Sequence, residues 1–125
     1  MKKISLKIDL GKYMSVKLQL DEAKKLLEEI VKELNIKSKD INESFRILNN
    51  FDEFYSYQQK KFKDYLTPDK DVSDMIKGAV VVDNLKLLKE DKKKYVVITF
   101  DRRLKEDIII KSLKLIGYEP VIEGS

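Results

Sequence analysis

The chain has 125 residues, contains neither cysteine nor histidine, and carries 26 Lys and Arg against 22 Asp and Glu, which gives a net charge of +4. This composition excludes disulfides, zinc–thiolate sites, cysteine nucleophiles and every catalytic arrangement that uses histidine. Any catalysis therefore depends on carboxylate, lysine, arginine, tyrosine or serine side chains, with an oxygen-bound cation such as Mg²⁺ as their natural partner.

The length is that of a single domain spanning residues 1–125. The mild excess of basic residues permits nucleic-acid binding without requiring it. A high content of Lys, Glu and Ile with few Gly and Pro is typical of a thermophile, or of an AT-rich genome. No stretch approaches 18 apolar residues and no leader-like segment is present, which predicts a soluble cytoplasmic protein without a membrane partner.

Two runs near the N-terminus alternate apolar and polar residues with a period of two. They are separated by Gly11–Met14, and their apolar positions are Ile4, Leu6, Ile8, Leu10, Val16, Leu18 and Leu20. This pattern predicts an antiparallel hairpin with one face in solvent. Asp9 points away from the apolar face in this alternation.

An amphipathic helix is predicted next, capped by Asp21 and ending near Asn35. Its apolar residues recur at helical spacing: Ala23, Leu26, Leu27, Ile30, Val31 and Leu34. Ser38 or Asp40 is expected to cap a second helix. The pair Asn49–Asn50 marks either a break or a polar face, since asparagine competes with the backbone for hydrogen bonds.

The segment from Phe51 to Leu66 is predicted to be helical and contains six of the eleven aromatic residues. The favoured interpretation is a core-facing stripe with solvated lysines, the stripe being Phe51, Phe54, Tyr55, Phe62 and Tyr65. The alternative is a single-stranded nucleic-acid interface, in which bases stack on exposed rings and lysines follow the phosphates. Its candidate residues are Tyr57, which lies off the stripe, and Lys60, Lys61 and Lys63.

Residues 69–74 are expected to form a solvated loop, with Ser73 as the N-cap of whatever follows. The secondary structure of the next stretch, residues 75–94, is ambiguous. It forms either one helix from Ser73 to about Glu90, or a strand Ala79–Val82 that ends at Asp83 and is followed by a short helix Asn84–Lys89. We prefer the second interpretation because three consecutive valines disfavour a helix.

Residues Tyr95–Phe100 form an unbroken β-branched and aromatic run, which predicts a strand buried on both faces. Asp101 is predicted to cap a helix Arg102–Ile116, which Gly117 stops and which a short strand Tyr118–Ile122 follows. The apolar face of this helix is Leu104, Ile108, Ile109, Leu113 and Ile116. A strand, a helix and a strand in sequence predict a crossover with parallel pairing.

The predicted fold class is therefore α/β or α+β: an N-terminal β-hairpin, two to three helices and a C-terminal β-α-β unit, forming a single-layer sheet with helices. In this fold Asp83 and Asp101 lie at the end of one sheet, with Asp9 or Asp74 as a third carboxylate. Converging carboxylates favour a bound cation, here Mg²⁺ or Mn²⁺, which activates water and holds a phosphodiester. Arg102 and Arg103 would bind phosphate.

The segments Thr99-Phe100-Asp101-Arg102-Arg103-Leu104 and Gly117-Tyr118-Glu119-Pro120-Val121 resemble the PIN-like nucleases. The likeness covers about residues 74–122, and Asp83, or else Asp74, best matches the preceding family aspartate. The resemblance implies a Mg²⁺- or Mn²⁺-dependent ribonuclease with Asp83 and Asp101 as catalytic residues, or a non-catalytic relative that binds RNA or DNA.

A second hypothesis belongs to a different class of protein. It is a small non-enzymatic interaction or inhibitor protein that acts through a homodimeric or partner interface, at the hairpin edge or the aromatic helix.

Overall fold

The computed structural model describes residues 1–124, which form a mixed five-stranded sheet and five helices. In chain order the elements are β1 (Lys2–Ile8), β2 (Met14–Gln19), α1 (Leu20–Leu34), α2 (Lys39–Asn49), α3 (Phe51–Lys60), α4 (Val72–Lys77), β3 (Val82–Glu90), β4 (Lys93–Phe100), α5 (Glu106–Leu115) and β5 (Tyr118–Gly124). The fold is α+β, and the predicted hairpin, helices and single sheet are confirmed.

The strands are ordered β3-β4-β2-β1-β5. The β1–β2, β2–β4 and β3–β4 pairs are antiparallel, whereas β1 and β5 are parallel. The predicted pairing of the last two strands is wrong, because β1 and β2 lie between β4 and β5. The hairpin does not offer the free edge that the predicted interface would need, because β1 pairs with β5 and β2 pairs with β4.

One face of the sheet carries the core. The buried strand residues on this face pack under α1, α2, α3 and α5, with α2 and α3 covering β3. These residues include Leu6, Val16, Leu18, Leu85, Leu87, Val96, Ile98 and Phe100. The alternating residues of β4, namely Tyr95, Val97 and Thr99, are only half-buried. The prediction that this strand is buried on both faces is therefore wrong, because its apolar run supplies core from every second residue only.

The stretch after α4 differs from both interpretations of the sequence. Residues 79–81 lead into a long strand that starts at Val82, so Asp83 lies near the beginning of β3 and not at a strand's carboxyl end. The predicted helix Asn84–Lys89 is part of the same strand. Tertiary pairing with β4, from Val82 opposite Phe100 to Glu90 opposite Lys93, outweighs the weak local helical pattern.

The outer edge of β3 is protected by two contacts. The side-chain amide of Gln58 donates to the Leu87 carbonyl and accepts from the Leu87 N–H, each at 3.0 Å. Leu66 exchanges both backbone hydrogen bonds with Leu85, at 2.7 and 2.8 Å. These bonds occupy strand groups that would otherwise be open to pairing with another chain.

The predicted helix caps are largely wrong. α1 starts at Leu20, so Asp21 lies in its first turn, where it complements the helix dipole instead of capping. The N-cap of α2 is Ser38, whose side chain makes no capping bond. Asp71, not Ser73, caps α4 by accepting from the Ser73 N–H at 2.9 Å.

The break at Asn49–Asn50 is confirmed, because α2 ends there and α3 starts at Phe51.

The last helix also starts later than predicted. Its N-cap is Lys105, and Asp101 belongs to a separate turn that comes before the helix. Its end at Gly117 is confirmed, and that glycine has a φ of 99°, which a residue with a side chain rarely adopts. Within residues 1–124, no helix has the length and apolar character needed to cross a bilayer.

Candidate functional site

Three of the four candidate aspartates lie at the same end of the sheet. β1 ends just before Asp9, β4 ends just before Asp101, and Asp83 occupies the bulge near the beginning of β3. The antiparallel β3–β4 pairing places the start of one strand beside the end of the other. Asp83 and Asp101 therefore share this end of the sheet, although the sequence argument for it assumed parallel strands.

Asp9 and Asp83 accept hydrogen bonds from residues close in sequence, whereas Asp74 accepts one from a distant segment. Asp9 accepts from the Tyr13 N–H at 2.9 Å and so closes the hairpin turn. Asp83 accepts from the side-chain amide of Asn84 at 2.9 Å. Asp74 lies away from the sheet end, on α4, and accepts from the Lys39 N–H at 3.0 Å at the start of α2.

Asp101 is held by Arg103. It accepts from the Arg103 backbone N–H at 2.9 Å and from the guanidinium Nε at 3.0 Å, while Nη1 of the same arginine donates to the Met75 carbonyl at 2.9 Å. Burial raises the pKa of Asp101, but the Arg103 hydrogen bonds and charge, with a smaller contribution from Lys70, hold this pKa below its usual value. Arg103 thus acts as the counter-ion of the principal candidate ligand.

The fit of this region to a divalent cation follows from these contacts. Among residues 1–124, no group of three or more acidic side chains is placed to hold a metal ion. Asp101 has an arginine where a metal would supply the positive charge, so we derive no reaction step through a cation. The Mg²⁺ or Mn²⁺ cofactor and the catalytic roles of Asp83 and Asp101 stay predictions.

Arg102 is the more available of the two predicted phosphate-binding arginines. Its guanidinium lies 5.7 Å from the centre of the Tyr13 ring in the hairpin turn. The residue is exposed and lies four positions before Glu106, the first residue of α5, so it is not in the first turn of that helix.

Asp40 has a structural role that was not predicted from the sequence. This residue is fully buried, and its Oδ2 accepts from the backbone N–H groups of Val81 and Val82 at 2.8 Å each. It therefore anchors the segment that leads into β3. No local pattern reveals such a bond, because it joins residues 41 and 42 positions apart.

A cleft of about 440 Å³ lies between α2, α3 and the loop that follows α3; we call it the α2–α3 cleft. Its aromatic lining residues are Phe54, Tyr57 and Tyr65, and its charged ones are Glu43, Arg46, Lys63, Asp64 and Asp69. Arg46 lies 5.1 Å from the Phe54 ring centre and forms a 2.7 Å ion pair with Glu43. This hydrogen bond lowers the pKa of Glu43, so that pair is neutralised internally.

Residues 60–63, which we call the KKFK turn, close the end of α3 beside this cleft. The Phe62 N–H donates to the Gln59 carbonyl at 3.1 Å and the Lys63 N–H donates to the Gln58 carbonyl at 3.0 Å. This is the Schellman pattern, in which the residue in the left-handed conformation is usually glycine. Here it is a phenylalanine with a φ of 52° and an exposed fraction of 94%.

The aromatic helix therefore divides into two halves. Phe51 is buried, and Phe54 and Tyr55 pack against the core, as predicted. Phe62 and Tyr65 were predicted to be core residues and are exposed, because α3 ends at Lys60 and the helical spacing that would place them on the apolar stripe ends with it. Tyr57, predicted to be the better candidate for an exposed ring because it lies off the stripe, is 44% exposed.

The lysines around Phe62 are consistent with its exposure, because Lys60, Lys61 and Lys63 place three charged groups next to the ring. Their flexible stems would also let the ammonium groups reach water beside a buried ring, so the sequence alone does not decide between the two positions.

No family model, no curated protein and no solved structure matches this chain.

Proposed function

We propose that this protein binds single-stranded nucleic acid, with the α2–α3 cleft receiving a base and the KKFK turn contacting the adjoining phosphates. The observation that carries this proposal is the exposure of three aromatic rings within nine residues, at 44% for Tyr57, 94% for Phe62 and 51% for Tyr65, among three exposed lysines. Exposed rings and cations in this combination are what single strands need, since bases stack on rings and ammonium groups neutralise phosphates.

The conformation of Phe62 strengthens the argument. A left-handed conformation costs a bulky residue about 1–2 kcal/mol, and full exposure recovers none of it by burying the ring. Strain of this kind persists where it has a use, and an observed outlier is a reasonable starting point for a functional hypothesis. A ring held out between two lysines is well placed to stack on a base.

The cleft supplies complementary chemistry. Its volume of about 440 Å³ falls within the range of small-molecule sites and accommodates a nucleotide base. Glu43 is neutralised by Arg46, which leaves Asp64 and Asp69 as carboxylates able to accept hydrogen bonds from the exocyclic amino groups of bases.

The test is fluorescence anisotropy with labelled single-stranded RNA, single-stranded DNA and duplex DNA. We expect both single strands to bind more tightly than the duplex. The logarithm of the association constant should fall with the logarithm of salt concentration with a slope of about −2, from three phosphate contacts. Phe62→Ala or Tyr57→Ala should weaken binding about tenfold, since stacking on one ring is worth roughly 1–3 kcal/mol.

Ile76→Ala is the matched control, because it removes an exposed apolar side chain, on α4, outside this site. It should leave oligonucleotide affinity unchanged. Salt-insensitive binding, or equal losses in the control, would reject the proposal. A dimer in light scattering that dissociates on Phe62→Ala, without oligonucleotide binding, would instead assign the turn to a protein interface.

The same preparation separates binding from cleavage. Labelled RNA is incubated with the protein and Mg²⁺ or Mn²⁺, with Asp101→Asn and Asp83→Asn run in parallel. Binding without cleavage is the expected result. Cleavage that either substitution abolishes would establish the metal-dependent nuclease and make the bound single strand its substrate.

A further inference from the structure

A second cleft, of about 340 Å³, lies where the end of α1, the segment after α4 and the turn before α5 meet; we call it the α4–α5 cleft. Its walls are aliphatic, formed chiefly by Leu34, Ile36, Val80, Leu104 and Ile108. Of the described residues that line it, none is aromatic, which distinguishes it from the α2–α3 cleft. Its volume equals that of roughly eleven liquid waters, enough for a small organic molecule.

The charge around this cleft has one sign. Lys77, Arg103 and Lys105 line it, and the described lining residues include no carboxylate. Arg103 is matched by Asp101 at 3.0 Å. Lys77 and Lys105 form no ion pair within residues 1–124, although Lys77 has a weaker charge interaction with Asp71. The two ammonium groups at the edge of the apolar cleft are therefore not held in a salt bridge.

Lys105 adds positive charge next to the start of α5. It is the N-cap of this ten-residue helix and its side chain makes no capping bond, while Glu106 and Asp107 in the first turn offset the helix dipole. An anion bound beside Lys105 would interact with the ammonium charge of Lys105 itself.

The back wall of the cleft is held in place before any ligand binds. The Val81 N–H donates to the buried Asp40 at 2.8 Å, and the Val81 carbonyl accepts from the Asp101 N–H at 2.8 Å. Gly78 takes a φ of 69° at the end of α4, and a side chain at that position would meet open space. A wall fixed in this way loses little conformational freedom on binding.

From these features we propose that the α4–α5 cleft binds a small organic anion, whose aliphatic body lies against the apolar walls and whose carboxylate or phosphate group contacts Lys77 and Lys105. The aliphatic walls select the body and the two unpaired ammonium groups select the charge. This site is independent of the nucleic-acid site and does not rest on it.

The experiment is a titration followed by ¹H–¹⁵N NMR, with four probes at concentrations below micelle formation. Octanoate and octyl phosphate carry both features, octylammonium reverses the charge, and inorganic phosphate lacks the body. We expect octanoate and octyl phosphate to shift the amides of residues 77–81 and 103–108, and the other two probes to bind at least tenfold more weakly.

Two variants and one control make the outcome specific. Lys77→Ala/Lys105→Ala should reduce octanoate affinity about tenfold, and Ala79→Leu, which fills part of the cleft, should also weaken it. Lys60→Ala/Lys61→Ala removes the same charge from the KKFK turn and should leave octanoate binding unchanged.

Equal binding of octanoate and octylammonium would overturn the charge argument, and equal binding of inorganic and octyl phosphate would overturn the role of the walls. An absence of shifts in residues 77–81 and 103–108 at millimolar octanoate would overturn the site itself.

Discussion

The sheet end and the KKFK turn make opposite use of residues that look functional in the sequence. At the sheet end, Asp9, Asp83 and Asp101 each accept a hydrogen bond from a near neighbour, so their carboxylates stabilise turns and a bulge. In the KKFK turn, Phe62 is strained and exposed, and no packing compensates for its conformation. Local interactions account for the carboxylates but not for the ring.

This difference shows which kind of residue points to a binding function. A polar side chain with a short-range partner has a sufficient structural explanation, because its hydrogen bond offsets its desolvation. An apolar side chain in an unfavourable backbone conformation and in full contact with water has none, and it therefore points more strongly to a binding role. Three substitutions can break or sharpen this contrast.

The largest effect is expected at Asp40, a buried carboxylate that also stabilises the fold but does so by joining distant segments of the chain. Asp40→Ala leaves the Val81 and Val82 N–H groups buried without acceptors, at about 1–3 kcal/mol each. We expect the free energy of unfolding, measured with urea, to fall by roughly 2–5 kcal/mol.

Asp40→Asn is the matched variant, because one amide oxygen can still accept from these donors. It should retain more than half of the lost stability. A loss below about 1 kcal/mol for Asp40→Ala would mean that this buried carboxylate does not anchor the segment leading into β3.

The next effect concerns Asp101 and depends on pH. Its pKa is lowered in the folded protein, so its ionised form stabilises the fold above the unfolded-state pKa of about 3.9, and this contribution is lost as the pH falls through the lower folded value. Asp101→Asn should cost about 1 kcal/mol at pH 7, below the roughly 1.5–3 kcal/mol of a bond to a charged group because solvent screens this partly exposed pair. The difference in the free energy of unfolding between this variant and the unmodified protein should disappear below about pH 4.

Unfolding by urea at pH 7, 5, 4 and 3 measures this gap. Arg103→Met removes the cause of the lowered pKa and should reproduce the same closing difference. A gap that is constant with pH would show that the ion pair is not what stabilises this turn. If Asp101 serves the fold and not the ligand, Asp101→Asn should also leave oligonucleotide affinity unchanged.

The sequence was most informative where local pattern and tertiary structure agree. The hairpin, α1, the stripe of α5 and its end at Gly117 follow from periodicity and from glycine's freedom at positive φ. The strand after Val82 could not be predicted, because its pairing with β4 decides between helix and strand.

The candidate site divides in the same way. The exposed position of Tyr57 off the apolar stripe follows from helical geometry. The roles of Asp40 and Arg103 do not, since the first depends on contacts between distant segments, and the second depends on a turn that local cap preferences assign to the start of a helix. Phe62 was assigned to the core because the helix was predicted to continue to Leu66, whereas α3 ends at Lys60.

The smallest change in stability, and the most direct test of the contrast, is Phe62→Gly. Glycine adopts the left-handed conformation without steric cost, so this variant should be more stable by roughly 1 kcal/mol while binding single-stranded oligonucleotide about tenfold more weakly. Lys92→Gly is the control, because Lys92 has a φ of 65° in the two-residue turn between β3 and β4, and it should gain similar stability without loss of binding. Parallel urea unfolding and anisotropy measurements decide the matter. A Phe62→Gly protein that is more stable and still binds at full affinity would show that the strain at this turn has no function in recognition.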